Sequence, residues 1–161
     1  MKNRMRKVST MQVRLPVLLF LLMLAGLWMS IPTAVQAKER CRISVDTILA
    51  SRQGSGVDSR LKQDVSELQN MFNYTSYQLL SSKTLNLKKG ESGTVSLPGN
   101  RRLKITPHNI RENRADIALQ MMKKKRTVFQ SQVQLLNRGS LFVGGPKYEN
   151  GNLIFKISGS Y

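Results

Sequence analysis

The stretch Leu141-Phe142-Val143-Gly144-Gly145-Pro146-Lys147-Tyr148-Glu149-Asn150-Gly151-Asn152-Leu153-Ile154-Phe155-Lys156-Ile157 decides the fold class. Asn150-Gly151 is a strong short-range hairpin signal, because both residue types tolerate positive φ. Leu153, Phe155 and Ile157 then place apolar side chains at every second position, the period of a half-buried strand. On the other side of the turn, Leu141-Phe142-Val143 runs into Gly144-Gly145-Pro146. A phosphate cradle needs a helix after its glycines, and strand signals flank these on both sides, so a bulge or tight turn is expected here.

Alternation continues upstream. Phe129, Val133 and Leu135 share one face of a strand, as do the odd positions from Ala115 to Met121. Arg102–Thr106, Thr94–Leu97, Thr84–Leu87 and Tyr74–Leu80 are further extended segments, separated by Lys88-Lys89-Gly90-Glu91, Pro98-Gly99-Asn100 and Asn137-Arg138-Gly139. His108 follows Pro107 in what reads as a loop. Arg42–Ala50, rich in β-branched residues, reads as a first strand. Between it and the rest, Val57, Leu61, Val65, Leu68 and Phe72 recur at helical spacing, with Asp58 as N-cap. The expected fold is α+β: a mostly antiparallel β meander of about eight strands, closed as a sandwich or open barrel, with one amphipathic helix after the first strand.

The N-terminus carries a different pattern. Lys2, Arg4, Arg6, Lys7 and Arg14 precede an apolar run from Leu15 to Met29, followed by Pro32 and Val35-Gln36-Ala37. A basic start, a short apolar run and small residues at −3 and −1 make up a secretory signal. The run is shorter than the roughly 20 residues of a permanent span. The expected division is residues 1–37 as signal peptide or, uncleaved, as a membrane anchor through residues 15–31, preceding a single β-rich domain, 38–161. The protein is thus expected to be exported through the inner membrane, and to be periplasmic, secreted or anchored there.

The whole chain has 161 residues, 26 Lys plus Arg against 9 Asp plus Glu, and a formal charge of +17. Without the five N-terminal cations it still carries 21 basic residues, a net charge of +12. One Cys and one His leave no zinc set of the usual kind, and no cofactor is implied. Cys41 reads as a buried thiol at the head of a strand, with an intermolecular disulfide as the other possibility in an oxidising compartment. Lys123-Lys124-Lys125-Arg126 is the densest run of charge, and it lacks the interleaved aromatics of a nucleic-acid surface. An up-and-down meander sends successive turns to opposite ends. One end should therefore gather Arg101, Arg102, Lys123, Lys124, Lys125, Arg126 and Lys147, with Glu149 the acid nearby.

The strings Leu141 to Ile154 and Ser76-Tyr77-Gln78-Leu79-Leu80 resemble small exported bacterial domains of unassigned function. That resemblance implies an envelope location and transfers no activity. The function expected is a non-enzymatic envelope module that contacts an anionic membrane or envelope polymer, or a protein partner through a sheet edge. The alternative is an exported hydrolase assembled from Ser51, Asp58 and His108, although nothing marks a nucleophile elbow around Ser51.

Overall fold

The computed structural model describes residues 40–161, which fall within a single unit. The segment expected to be a signal peptide or anchor, residues 1–37, lies outside the described residues. The strands are β1 (Arg40–Ser51), β2 (Gly56–Val57), β3 (Ser76–Lys88), β4 (Gly93–Leu97), β5 (Arg101–Ile110), β6 (Arg114–Lys123), β7 (Arg126–Leu136), β8 (Ser140–Tyr148) and β9 (Gly151–Ser160). A 3-10 turn, Ser59–Leu61, and the seven-residue helix α1, Val65–Met71, lie between β2 and β3. The domain is mostly antiparallel β with one short helix, as the alternation implied.

A single meander does not describe it. Only β4-β5-β6-β7 is an uninterrupted meander, and these strands form one sheet. The other sheet has the order β2-β3-β1-β9-β8, so the last strand pairs with the first along almost its whole length, from Arg42↔Ser160 to Ser51↔Gly151. Pairing between strands so far apart in sequence leaves no local signature, which is why turn-by-turn reading produces a simple meander instead.

Strand alternation builds two apolar layers from these sheets. Cys41, Ile43 and Val45 of β1, with Leu153, Phe155 and Ile157 of β9, face Leu103, Ile105, Ala115, Ile117, Leu119 and Met121 of the second sheet. The opposite face of the first sheet is divided. Ile48, Ala50, Tyr77, Phe142 and Ile154 are covered by Leu61 and Leu68, whereas the half bearing Arg42 and Ser44 is left to solvent.

The helical segment is shorter than its spacing implied. Val57 belongs to β2, parallel to β3 at Tyr77. Asp58 caps the 3-10 turn through Arg60 N–H, and α1 starts only after Asp64. Polar residues such as Asp58, Ser59 and Asp64 bond locally and compete with a continuous helix, while two short pieces still set Leu61 and Leu68 on the sheet. Tyr77 Oη holds the end of α1 by donating to the carbonyls of Leu68 (3.1 Å) and Phe72 (2.6 Å).

Two local expectations are corrected as well. His108 lies inside β5, at a bulge where the register with β6 slips between Pro107 and Asn109, not in a loop. The last hairpin closes at Tyr148↔Gly151, so its turn residues are Glu149 and Asn150, with Glu149 at φ 49°. Gly151 is required for space, since a Cβ there would run into the Ala50 carbonyl oxygen. Cys41 is fully buried between the sheets, and burial pushes its thiol up to about 11. An intermolecular disulfide at Cys41 would need the start of β1 to leave the core.

Candidate functional site

The turns before β5, between β6 and β7, and between β8 and β9 lie at one end of the molecule, and the register explains how. Leu97↔Arg101 closes the first, Arg101↔Lys123 carries the row from β5 to β6, and Lys123↔Arg126 closes the second. Arg101, Lys123 and Arg126 therefore stand side by side across three strands. The tips are linked as well: Lys124 N–H donates to Asn100 O at 3.5 Å. Left-handed φ values at Gly99 (73°), Asn100 (55°) and Lys124 (56°) make turns this tight possible.

Arg101 joins this end to the other sheet. Its guanidinium donates to Pro98 O and to Lys147 O, both at 3.3 Å. The structure thus brings Arg101, Arg102, Lys123, Lys124, Lys125, Arg126 and Lys147 to one end of the domain, although β8 belongs to a different sheet from β7. Arg101 is half-buried and holds carbonyls; the other six are exposed.

Arg52, which sequence reasoning missed, joins the same end. Its Nε donates to Asn73 O at 3.2 Å, and its guanidinium lies 5.9 Å from the Tyr74 ring centroid. With Lys147, Glu149 and Asn152 it lines a shallow concavity beside the last hairpin. Its signal in the sequence was weak: an isolated Arg in a turn, far from the other seven along the chain. Glu149 is the nearby acid; a hydrogen bond from Tyr148 to it raises the tyrosine's pKa.

The charge at this end is not neutralised internally. Among the described residues, carboxylates come within ion-pair distance of a base only at Asp58–Arg60 (2.7 Å) and Asp64–Lys156 (2.6 Å). Neither lies among the basic turns. The guanidinium of Arg60 holds the Asp58 carboxyl well below the usual carboxylate range by hydrogen bonding.

A second basic group stands at the opposite end. Arg40 and Arg42 of β1 and Arg138 of the β7–β8 turn line an open groove with Asn86, Asn137, Ser160 and Tyr161. Arg42 Nε donates to Asn86 Oδ1 at 3.4 Å, and Arg138 N–H donates to Gly159 O at 2.8 Å. These three arginines meet only because β9 lies beside β1, so their sequence positions do not announce the group.

The residues of the hydrolase alternative are not brought together. Ser51 Oγ donates to Gln53 O at the end of β1, and both Asp58 carboxylate oxygens are engaged by Arg60. His108 is on the other sheet, where it lines a concavity with Asn109, Asp116, Gln132 and Gln134. Asp116 accepts from Asn109 Nδ2 and Gln134 Nε2, both at 3.1 Å, and the Asn109 bond is the main cause of its lowered pKa. No serine, threonine or cysteine lines that concavity to act as nucleophile. Among the described residues, no three His, Cys, Asp or Glu side chains are grouped to hold a metal ion.

Comparison of the chain with protein-family models, with curated proteins and with solved structures finds no match.

Proposed function

We propose that this protein is a non-enzymatic module of the cell envelope, exported by its N-terminal segment, whose basic turns hold it against an anionic membrane or acidic polymer. One observation carries the reading: three adjacent turns converge at one end with seven basic residues, and none of these is in an ion pair with a carboxylate of the described chain. Like charges so close repel one another, and an external anion relieves that repulsion. Arg102, Lys124, Lys125 and Lys147 are solvent-facing and supply the attraction, while Arg101 ties the two sheets together beneath them.

Cosedimentation with vesicles tests this directly. The chain should sediment with phosphatidylglycerol-containing vesicles and not with pure phosphatidylcholine, and should be released as salt rises. The Debye length falls from about 10 Å at 0.1 M to about 3 Å at 1 M. Immobilised polyglutamate provides the polymer arm of the test. The variant with Lys123, Lys124, Lys125 and Arg126 all changed to Ser should lose binding while keeping its far-ultraviolet circular dichroism. Undiminished binding by that folded variant refutes the proposal.

A further inference from the structure

Two sheets leave four terminal strands among the described residues: β2 and β8 in one, β4 and β7 in the other. An open strand presents unpaired peptide groups to any neighbouring chain, and folded proteins normally blunt it. Three of these edges are blunted. β2 has two residues and β4 five. β8 is interrupted at Gly144-Gly145-Pro146, where the register slips, Pro146 has no N–H to offer, and Lys147 follows.

β7 is long and regular from Phe129 to Leu136; its one register slip, the bulge at Val128 between the pairs Met121↔Phe129 and Met122↔Thr127, lies near its start. The strand runs for 11 residues, and from Thr127 to Leu136 it contains no charged side chain and no proline, in a chain with 26 Lys plus Arg. Asn137 N–H donates to Asn113 O at 3.0 Å, next to the pair Arg114↔Leu136. Antiparallel alternation therefore turns the peptide groups of Phe129, Ser131, Val133 and Leu135 toward β6, and those of Gln130, Gln132 and Gln134 outward. Phe129 and Val133 pack on the inter-sheet core yet stay half-exposed at the seam. Val128 and Leu136 are 53% and 59% exposed.

We infer that β7 pairs with β7 of a second copy of this chain, antiparallel about a two-fold axis at Ser131, so that two four-stranded sheets become one continuous sheet. The strand is self-complementary about that point. Gln130 of one copy falls opposite Gln132 of the other, so the outward peptide groups meet and both side chains share the solvent face. Phe129 falls opposite Val133, extending the apolar layer across the seam. Ser131 faces its own copy in a non-hydrogen-bonded pair. Charge supports a second copy as occupant. Two strongly basic domains repel each other wherever lysines or arginines meet, and β7 is the long edge along which they do not. Arg126 falls opposite Leu136, at the ends of the pairing. A two-fold contact of this kind closes on itself and leaves only the blunted edges β2, β4 and β8 open.

Sedimentation equilibrium on the chain purified from cells that produce it should give twice the single-chain mass. Gln130→Lys with Gln132→Lys, both solvent-facing, places four lysines along the seam and should return the mass to that of one chain. Thr94→Lys with Ser96→Lys, the same added charge on β4, should leave the doubled mass unchanged. A wild-type chain that stays monomeric at hundreds of micromolar overturns the inference, as does a dimer that survives the β7 variant or is lost in the β4 variant. Ser131→Cys decides independently of those lysines. Facing Cα atoms in a non-hydrogen-bonded pair lie about 4.5 Å apart, inside the disulfide range of about 4.4–6.8 Å. Mild oxidation should give a covalent dimer on a non-reducing gel, whereas Thr94→Cys should give none. No cross-linking at position 131, or equal cross-linking at both positions, also overturns it.

Discussion

Leu68→Ala tests how α1 is held on the sheet. Leu68 is fully buried and is the single buried side chain of the helix. It fills the layer against Ile48, Ala50, Tyr77, Phe142 and Ile154. The substitution removes about three carbon groups at about 0.8 kcal/mol each, roughly 2.4 kcal/mol of transfer free energy. The cavity left behind adds about 1 kcal/mol where the surroundings relax only in part. Seven residues with a free turn on either side can settle inward, which puts the expected total near 3 kcal/mol. For a domain of this size that lowers the melting temperature by about 10 °C. Urea denaturation of the two variants Leu68→Ala and Met71→Ala, followed by circular dichroism, provides the comparison. Met71 belongs to the same helix but is 53% exposed, and its truncation should cost less than about 0.5 kcal/mol. Equal destabilisation by the two substitutions would refute the docking of α1 through Leu68.

Cys41 should respond to alkaline pH. Its thiol titrates near 11 in the folded chain against 9.0 unperturbed, so the folded state retains a proton that the unfolded state loses first. The stability this contributes is complete below pH 9 and declines between about 9 and 11. Cys41→Val should therefore flatten the fall in stability across that window relative to wild type, and an unchanged slope would exclude the effect. Gly151→Ala should destabilise by about 1–3 kcal/mol, because the new Cβ forces β9 away from the Ala50 carbonyl. Gly56→Ala, where a Cβ meets nothing within 4 Å, should change the melting midpoint little in the same denaturation assay.

What could be read in the sequence was whatever depends on near neighbours. The alternation of Leu103 with Ile105, and of Ala115, Ile117, Leu119 and Met121, reports a sheet with one buried face, and those residues are buried. Turns rich in Gly, Pro, Asn and Lys fall where chain reversals occur, so the basic turns could be placed at a common end before any coordinates. What could not be read depends on distant partners. Val57 fits a helical face by spacing, yet β3 recruits it as a strand. His108 follows a proline and looks like a loop residue, yet β6 holds both its neighbours in register. The groove at Arg40, Arg42 and Arg138 exists because β9 returns to β1, and no local pattern encodes that return. Glu149 occupies a left-handed conformation that Asn150 seemed better suited to; the closing pair Tyr148↔Gly151 decides which two residues turn.

The pairing of β1 with β9 has a consequence for when the domain can form. A chain that emerges N-terminus first, from a ribosome or a pore, releases β1, the central strand of its sheet, early and its neighbour β9 after the other described strands. The β4-β5-β6-β7 meander contains only sequential hairpins, and these can close as they appear. The other sheet must wait, with Ile43, Val45 and Ile48 uncovered on β1, until the C-terminal residues are free. Contacts this distant in sequence slow folding, because the loop between them is closed before they reward it. Deletion of residues 151–161 removes β9 entirely. It would leave β1 and β8 with no strand between them, so the native sheet forms only once β9 is available.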